Sequence, residues 1–470
     1  MSKPNIIYIF ADQLRADWTH DADITPNIIK LRGQSTELTQ AVSGHPVCAP
    51  YRASLFTGKH TTSTGMVINE IRLNPKHHPR TLAKCLSESG YSSEYIGKWH
   101  MYANEWGNHL DPKNSFVPAG EHRLGFEGFF AHYGFHHEYV GDSNYYHLDS
   151  DEKIFHDKYE PDAMTDLAIS RIDKLSDGGK PFSLFLSLGT PHDPWEEWNV
   201  PQKYLDLVAD KTFKLPANYL PDNDPHADAW ARLSEDERAA LPDWMRVYTA
   251  MTANLDENIG RLMSHIDKLG LGENTIVVFT SDHGEMFGAH GRRAKNVFYE
   301  EALRVPFFMR LPQQAKEPKQ CDVLLNTVDI MPTLLGLCSI PVPDEVEGQD
   351  VSGALLGGET NSPEGQLCMC TGPTADFYDG HEWRAWRTKR WTYAQYLADG
   401  EEHLYDRDSD PLQKVNLAGD AEYAFTKAEL RAAMLAEMVK INDEFCANTY
   451  YRDNWVTADR LIVKTATAQV

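Results

Sequence analysis

Cys48 stands two residues before Pro50 and four before Arg52, in the stretch HPVCAPYRASLFTG from His45 to Gly58. Pro50 suits the first turn of a helix and Gly58 its end, so the spacing predicts a helix running through Arg52 to Thr57. Cys48 then falls just ahead of the helix N-terminus, where free N–H groups and the dipole favour an anion. Arg52, one turn on, can reach back to the same spot. Elsewhere the chain sets acids and bases directly behind short apolar runs. Asp12 and Gln13 follow one run; Lys98, Trp99 and His100 follow another. Thr190, Pro191, His192 and Asp193 follow a third, and Asp282 and His283 a fourth. The oxygens of Asp12, Gln13 and Asp282 are of the kind a hard cation such as Ca2+ or Mg2+ takes. A nitrogen from His283 is less typical of calcium and is tolerated by Mn2+ or Zn2+. One such aspartate is usually a turn or a helix cap; four endings of this kind point to a site.

The apolar runs must position these groups. Asn5–Ala11 (NIIYIFA), Phe182–Leu188 (FSLFLSL) and Thr275–Thr280 (TIVVFT) read as buried parallel strands, with Ser93–Ile96 a weaker fourth. Helical patterns lie between them at Thr81–Ser89, Asp162–Leu175 and Trp244–Leu269, the last closed by Gly270. The alternation predicts an α/β domain with a large, mostly parallel central sheet flanked by helices. In such sheets ligands bind beyond the carboxyl ends of the strands, where the acids, histidines and lysine emerge. The texture changes after about Pro363. Arg384–Tyr396 and His403–Asp406 read as antiparallel strands and Thr426–Asn442 as an amphipathic helix. The expected division is an α/β domain over 1–365 and a smaller C-terminal α+β domain over 366–470. From Ala447 a polar and aromatic tail is left to pack on this chain or on a neighbour in an oligomer.

At 470 residues, 41% hydrophobic and 24% charged, the chain has the composition of an ordinary globular protein with a sizeable core. A formal net charge of −24 without a basic run argues against nucleic-acid binding. It leaves room for a small anionic substrate, because surface charge is screened beyond roughly 8 Å and a few local cations rule a pocket. The seven cysteines lack the paired spacing of a zinc site or a disulfide framework, and Cys368-Met369-Cys370 reads as structural. No stretch is long and apolar enough to span a bilayer, so no membrane partner is expected. The N-terminal MSKPNIIYIFADQ ends in an acid with no small-residue cleavage site and reads as a core strand. The sequence as it stands reads as cytoplasmic; a removed leader would make the protein periplasmic or secreted.

With these residues in place, the chain resembles the sulfatase family of the alkaline-phosphatase superfamily. In that family C-x-P-x-R, followed by four residues and T-G, marks a cysteine oxidised after synthesis to formylglycine. It stands here as Cys48-Ala49-Pro50-Tyr51-Arg52 with Thr57-Gly58, Tyr51 replacing the common serine. PNIIYIFADQ, GKWH at Gly97–His100, TPHDPW at Thr190–Trp195, SDHGE at Ser281–Glu285 and KNVFYEEALRVP at Lys295–Pro306 look like further landmarks, in the family's order. Glu401–Ala418 (EEHLYDRDSDPLQKVNLA) is similar to the family's C-terminal subdomain. The resemblance makes Asp12, Gln13, Asp282 and His283 metal positions, with the modified Cys48 supplying a further oxygen. It implies one divalent ion, Ca2+ first, with Mg2+ or Mn2+ as alternatives. Many members have Asp-Asp at Asp12-Gln13 and Asn at His283. The Gln and His variants resemble choline sulfatases and phosphonate monoester hydrolases.

The implied reaction is hydrolysis of a sulfate ester to an alcohol and inorganic sulfate. The aldehyde at position 48 hydrates to a diol, and one hydroxyl, deprotonated against the metal, attacks sulfur. His192 protonates the leaving alcohol, and His100 helps to deprotonate the second hydroxyl so that sulfate is expelled. Lys98 and Lys295 hold the sulfate oxygens, Arg52 orients the diol, and Asn69 is a further pocket candidate. A formylglycine-generating maturation enzyme is the partner this chemistry requires. Trp99, Trp106, Trp195, Trp198 and the cluster HYGFHHEY at His132–Tyr139 stand near the motif loops. Aromatic faces stack on sugar rings, so a sulfated carbohydrate is the leading substrate. Two other readings stand beside this one. The first is a phosphonate monoester or phosphodiester hydrolase on the same scaffold; the second is a non-catalytic anion- or glycan-binding protein in which Cys48 stays a thiol.

Overall fold

Every residue of Asn5–Ala11 is buried, as a strand covered on both faces requires. In the computed structural model, which describes residues 3–312, 319–358 and 362–468, this strand is β1, inside an eight-stranded sheet. The others are β2 (Thr36–Val42), β3 (Ser92–Lys98), β4 (Phe130–Tyr133), β7 (Phe182–Leu188), β8 (Thr275–Ser281), β9 (Phe307–Arg310) and β10 (Lys319–Asn326). Two short strands, β5 (Tyr145–Tyr146) and β6 (Ile154–Phe155), pair separately. The order is β10-β2-β9-β8-β1-β7-β3-β4. Only β9 runs antiparallel to its neighbours β2 and β8, so the sheet is mostly parallel, as expected.

Successive side chains of β1 point to opposite faces and divide the core into two layers. Ile6, Tyr8 and Phe10 pack with Leu55 and Phe56 of helix Cys48–Thr57 and with Met331 and Leu334 of helix Thr327–Leu337. Ile7, Ile9 and Ala11 pack with helices Glu160–Asp177 and Glu235–Lys268 through Met164, Ile172, Leu255 and Ile259. The last helix begins nine residues before the expected Trp244. A capping box between Ser234 and Glu237 starts it, and Pro242 is carried inside it.

A second, antiparallel sheet holds β11 (Gln366–Cys370), β12 (Trp383–Arg387), β13 (Trp391–Tyr396) and β14 (Glu402–Asp406), in that order. One face packs Cys368, Cys370, Trp383 and Ala385 against Val297 and Phe298 of the loop that follows β8. The other lies under helix Ala424–Lys440 through Leu430, Met434 and Met438. Cys368 and Cys370 are thus core residues with free thiols. The tail forms helix Asn448–Trp455, and Tyr451, Trp455 and Ile462 enter the main core of their own chain. Its strand-like end is tied by Ile462 N–H to Arg72 O (3.0 Å) and Arg72 N–H to Arg460 O (2.7 Å). No described helix is long and apolar enough to cross a membrane.

Candidate active site

Cys48 is the first residue of helix Cys48–Thr57 rather than lying just ahead of it; Val47 is the N-cap, and Gly58, at φ 65°, closes the other end. The Ala49 N–H, one of the donors a helix start leaves unpaired, goes to Asn69 Oδ1 at 2.9 Å. Backbone bonds tie the strand ends to one another, Asp12 N–H to Leu188 O at 3.0 Å and Asp282 N–H to Ala11 O at 3.1 Å. Ligand atoms of Asp12, Cys48, Asp282 and His283, all buried, lie within 4.8 Å of one another. The Cys48 sulfur is 3.3 Å from His283 Nε2 and 3.6 Å from Asp12 Oδ1. His283 Nδ1 lies 3.1 Å from Gly284 O, where it donates and leaves the Nε2 lone pair facing the carboxylates. Gln13 sits at φ 67°. Its amide nitrogen donates to Glu285 at 2.6 Å, and its Oε1 takes a hydrogen bond from Lys295 Nζ at 2.7 Å.

The donor set fits a divalent cation on its chemistry. Two carboxylates and one imidazole nitrogen converge on the Cys48 sulfur in a buried space, with the Gln13 side chain buried beside them. Burial and the neighbouring Asp12 push the Asp282 carboxyl up. Burial and Cys48 act the same way on Asp12, but Lys98 at 2.5 Å, helped by His192 and Lys295, brings it down to about 2. A cation between the two carboxylates stabilises both in the ionised form.

Around the sulfur stand the groups that would meet an anion. Lys98 Nζ lies 3.7 Å and Lys295 Nζ 3.6 Å from it. Burial alone would raise the thiol pKa; the two lysines and His283 outweigh it and hold Cys48 well below the ordinary range. Lys98 Nζ also lies 2.9 Å from His137 Nε2, and Lys295 Nζ 2.8 Å from His192 Nε2. The rings of His137 and His192 stack at 3.8 Å and 12°. His192 Nδ1 is 2.9 Å from the Asp193 carboxylate. Burial and Lys295 oppose a charge on His192, but Asp193 and Asp12 outweigh them and raise it to about 9. A protonated His192 beside Lys295 concentrates positive charge that an oxyanion neutralises. His100 is the opposite case. Burial and Lys98 push it down to about 3, its ring stacks on Phe135 at 4.6 Å, and neither nitrogen has a hydrogen-bond partner.

Arg52 lies beside the same cluster, against the two carboxylates that face Cys48. Its helix packs against the sheet, so the guanidinium lies over Phe10 (4.9 Å) and donates to Lys98 O (2.5 Å) and Ser187 Oγ (2.7 Å). Its other nitrogen is 3.4 Å from Asp282 and 3.6 Å from Asp12. It braces the carboxylates from beneath.

Cys48, His100, His192 and Lys295 form the floor of a cavity of about 430 Å³, with Asn69 in its wall. Trp106, 62% exposed, stands at its edge with Phe135, His137, Trp230 and Tyr378. The other expected aromatics lie elsewhere. Trp99 is buried against Phe56 and Trp195 against Phe287, while Trp198 is exposed outside the cavity. Within His132–Tyr139 only Phe135 and His137 reach the cavity; His132, Tyr133, His136 and Tyr139 are buried behind it. Sequence reading missed Trp230 and Tyr378, and it named His137 only within the cluster His132–Tyr139, with no role of its own. His137 follows β4 as the other site residues follow their strands, but FAHY is too short and polar to be read as a strand. Trp230 and Tyr378 come from irregular loops that carry no periodic signal.

The sulfatase family model matches residues 4–340, and one described as N-sulphoglucosamine sulphohydrolase, C-terminal, matches residues 288–440. An ulvan-active sulfatase of Formosa agariphila is 35% identical over 457 residues, 96% of this chain and 84% of its own. An endo-4-O-sulfatase of Bacteroides thetaiotaomicron is 28% identical, covering 89% of this chain and 88% of its own. Among solved structures, yidJ from Bacteroides fragilis, assigned to the sulfatases, superposes with a TM-score of 0.80 at 28% identity, covering 96% of this chain and 97% of its own. With the family model over most of the chain and the ulvan-active relative alike over nearly all of it, the chain belongs to the sulfatase family of sulfuric ester hydrolases.

Proposed function

We propose that the protein hydrolyses a sulfate ester of a carbohydrate through a formylglycine made from Cys48 by a maturation enzyme. The observation that carries this reading is the surroundings of Cys48. It opens a buried helix with both Lys98 and Lys295 within 3.7 Å of its sulfur, and His192 and His100 stand in the same cavity. Asp12, Gln13, Asp282 and His283 would hold one divalent ion, Ca2+ first by its oxygen majority, which lowers a hydroxyl pKa and neutralises sulfate charge. One hydroxyl oxygen of the hydrated aldehyde bonds to sulfur, and the bond from sulfur to the ester oxygen breaks. His192, protonated and held by Asp193, gives its proton to that departing oxygen. Lys98, Lys295 and the neighbouring His137 supply donors to the sulfate oxygens. His100, neutral, takes the proton of the second hydroxyl. The carbonyl reforms as the bond from carbon to the sulfate oxygen breaks, sulfate leaves, and water restores the diol. Opposite protonation of two histidines in one cavity suits the acid and base roles.

Trp106, Trp230 and Tyr378 offer flat apolar walls on which sugar rings stack, and the relatives named for ulvan and endo-4-O activity support a carbohydrate sulfate. The test begins with the mass of the tryptic peptide Gly33–Arg52 from protein co-expressed with a formylglycine-generating enzyme. The aldehyde or its hydrate is expected, and sulfated oligosaccharides should turn over faster than phosphonate or phosphate esters. Cys48→Ala is expected to fold and lose turnover. Full activity in that variant would remove the mechanism, and preference for phosphonate esters would move the assignment to the rival hydrolase.

A further inference from the structure

Far along the sequence from the catalytic cluster, a second group of metal-type ligands joins two parts of the chain. His226 lies on the loop that carries Asp228 and Trp230 into the active-site cavity; Asp399 and Glu401 lie on the turn between β13 and β14. His226 Nε2 is 3.1 Å from Glu401 Oε2 and 3.5 Å from Asp399 Oδ2, and the three ligand atoms lie within 4.8 Å of one another. Bonds of about 2.0–2.1 Å to a tetrahedral ion set ligand atoms about 3.3–3.4 Å apart, so the spacing already matches a coordination edge.

A second observation points to a ligand. His403, only 9% exposed, aims a buried Nε2 that makes no hydrogen bond at the other carboxylate oxygen of Glu401, 3.4 Å away. Its Nδ1 lies 3.1 Å from the Tyr405 hydroxyl and 3.4 Å from Asn416 Nδ2, which can only donate, so Nδ1 accepts and the Nε2 proton faces Glu401. The supporting groups are in place as well. His226 stacks on Tyr396 at 3.7 Å and its N–H goes to Asp224 Oδ1 at 2.9 Å. Asp399 Oδ1 accepts the Glu401 N–H at 2.9 Å, which leaves Oδ2 toward His226. Asp399 and Glu401 side chains are 53% and 46% exposed, which gives an ion a way in.

We propose that His226, Asp399 and Glu401 form a second metal site, for a divalent first-row transition metal of the Zn2+ type, that clips the cavity loop to the C-terminal hairpin, with His403 orienting Glu401 from behind. Three protein ligands, one of them an imidazole, with a fourth position open to water suit Zn2+ better than Ca2+, which takes more oxygens.

The test compares wild type with His226→Ala and Asp399→Asn, the latter on an exposed turn and expected to fold. Zn2+ bound per chain is counted after dialysis against Zn2+ with excess Ca2+, and the visible spectrum is read after titration with Co2+. Wild type is expected to hold one Zn2+ more than either variant and to show an added tetrahedral Co2+ absorption that both variants lose. Equal stoichiometry and identical Co2+ spectra in all three proteins would overturn the site and leave His226 as the centre of an ion-pair network.

Discussion

At the residue scale the site depends on how Asp193 sets the charge of His192. Asp193 accepts from Nδ1 and raises His192 to about 9, so the imidazole keeps its proton through neutral pH against burial and Lys295. The limb of kcat/KM that falls with rising pH should therefore lie near pH 9. Asp193→Asn keeps the shape and removes the charge, so the His192 pKa falls and activity is lost earlier, the limb moving down by about one unit or more. A pH profile of both proteins checks this, and an unmoved limb would remove His192 as the acid. His192→Ala should lose about 10²–10⁴-fold on alkyl sulfate esters and far less on activated aryl esters, whose leaving groups need no proton. Residue types were the most legible part of the chain. Asp12, Gln13, Asp282, His283, Lys98 and His192 gather about Cys48 as their positions behind strands suggested, and Lys295, pointed to only by the family resemblance, joins them. The number of Arg52 in the helix gives its face but not its bonds to Lys98 O and Ser187 Oγ, which depend on how that face meets the sheet.

Elements decide whether Lys295 stays there. Its loop is held from behind by the second sheet. Trp383 Nε1 donates to Asn296 O at 3.2 Å, and Asn296 Nδ2 to Gly372 O at 2.9 Å. Arg387 of β12 grips Glu300 with two bonds of 2.7 and 2.9 Å. Burial would raise the Glu300 carboxyl, but Arg387 and Arg407 bring it down to about 2, below its ordinary 4.5. A depressed folded pKa means the stabilisation is whole above about pH 4.5 and drains away as pH falls toward 2. Glu300→Gln leaves Arg387 buried with a neutral partner. It should cost about 3–5 kcal/mol at pH 7 and flatten the loss of stability below pH 4.5. Urea midpoints at pH 7, 4 and 3 measure both effects, and parallel acid limbs in the two proteins would refute the assignment. The long apolar strands β1, β7 and β8 were legible because burial on both faces leaves no alternation to misread. Strands β2, β4, β9 and β11 were not read, being short or mixed in polarity, and with β4 went the place of His137 behind a strand end.

At the scale of the molecule, the tail closes the fold. Tyr451, Trp455 and Ile462 are buried in the core of their own chain. The approach is close. A Cβ added at Gly65, which has φ 76°, would come within 2.5 Å of Ile462, so the turn beyond the cysteine helix has room for the tail only as glycine. The sequence left the choice between home and neighbour open because burial pattern alone names no partner. In this structure Tyr451, Trp455 and Ile462 pack within one chain, and that has a consequence in solution. Trp455→Ala opens a void in the main core and should lower stability by about 3–5 kcal/mol. Because the contact lies within one chain, the loss should be the same at every protein concentration. Denaturant midpoints across a hundredfold dilution series of wild type and variant read this directly. A wild-type midpoint that falls on dilution, with the difference between the proteins shrinking as it falls, would instead place the tail on a neighbouring copy.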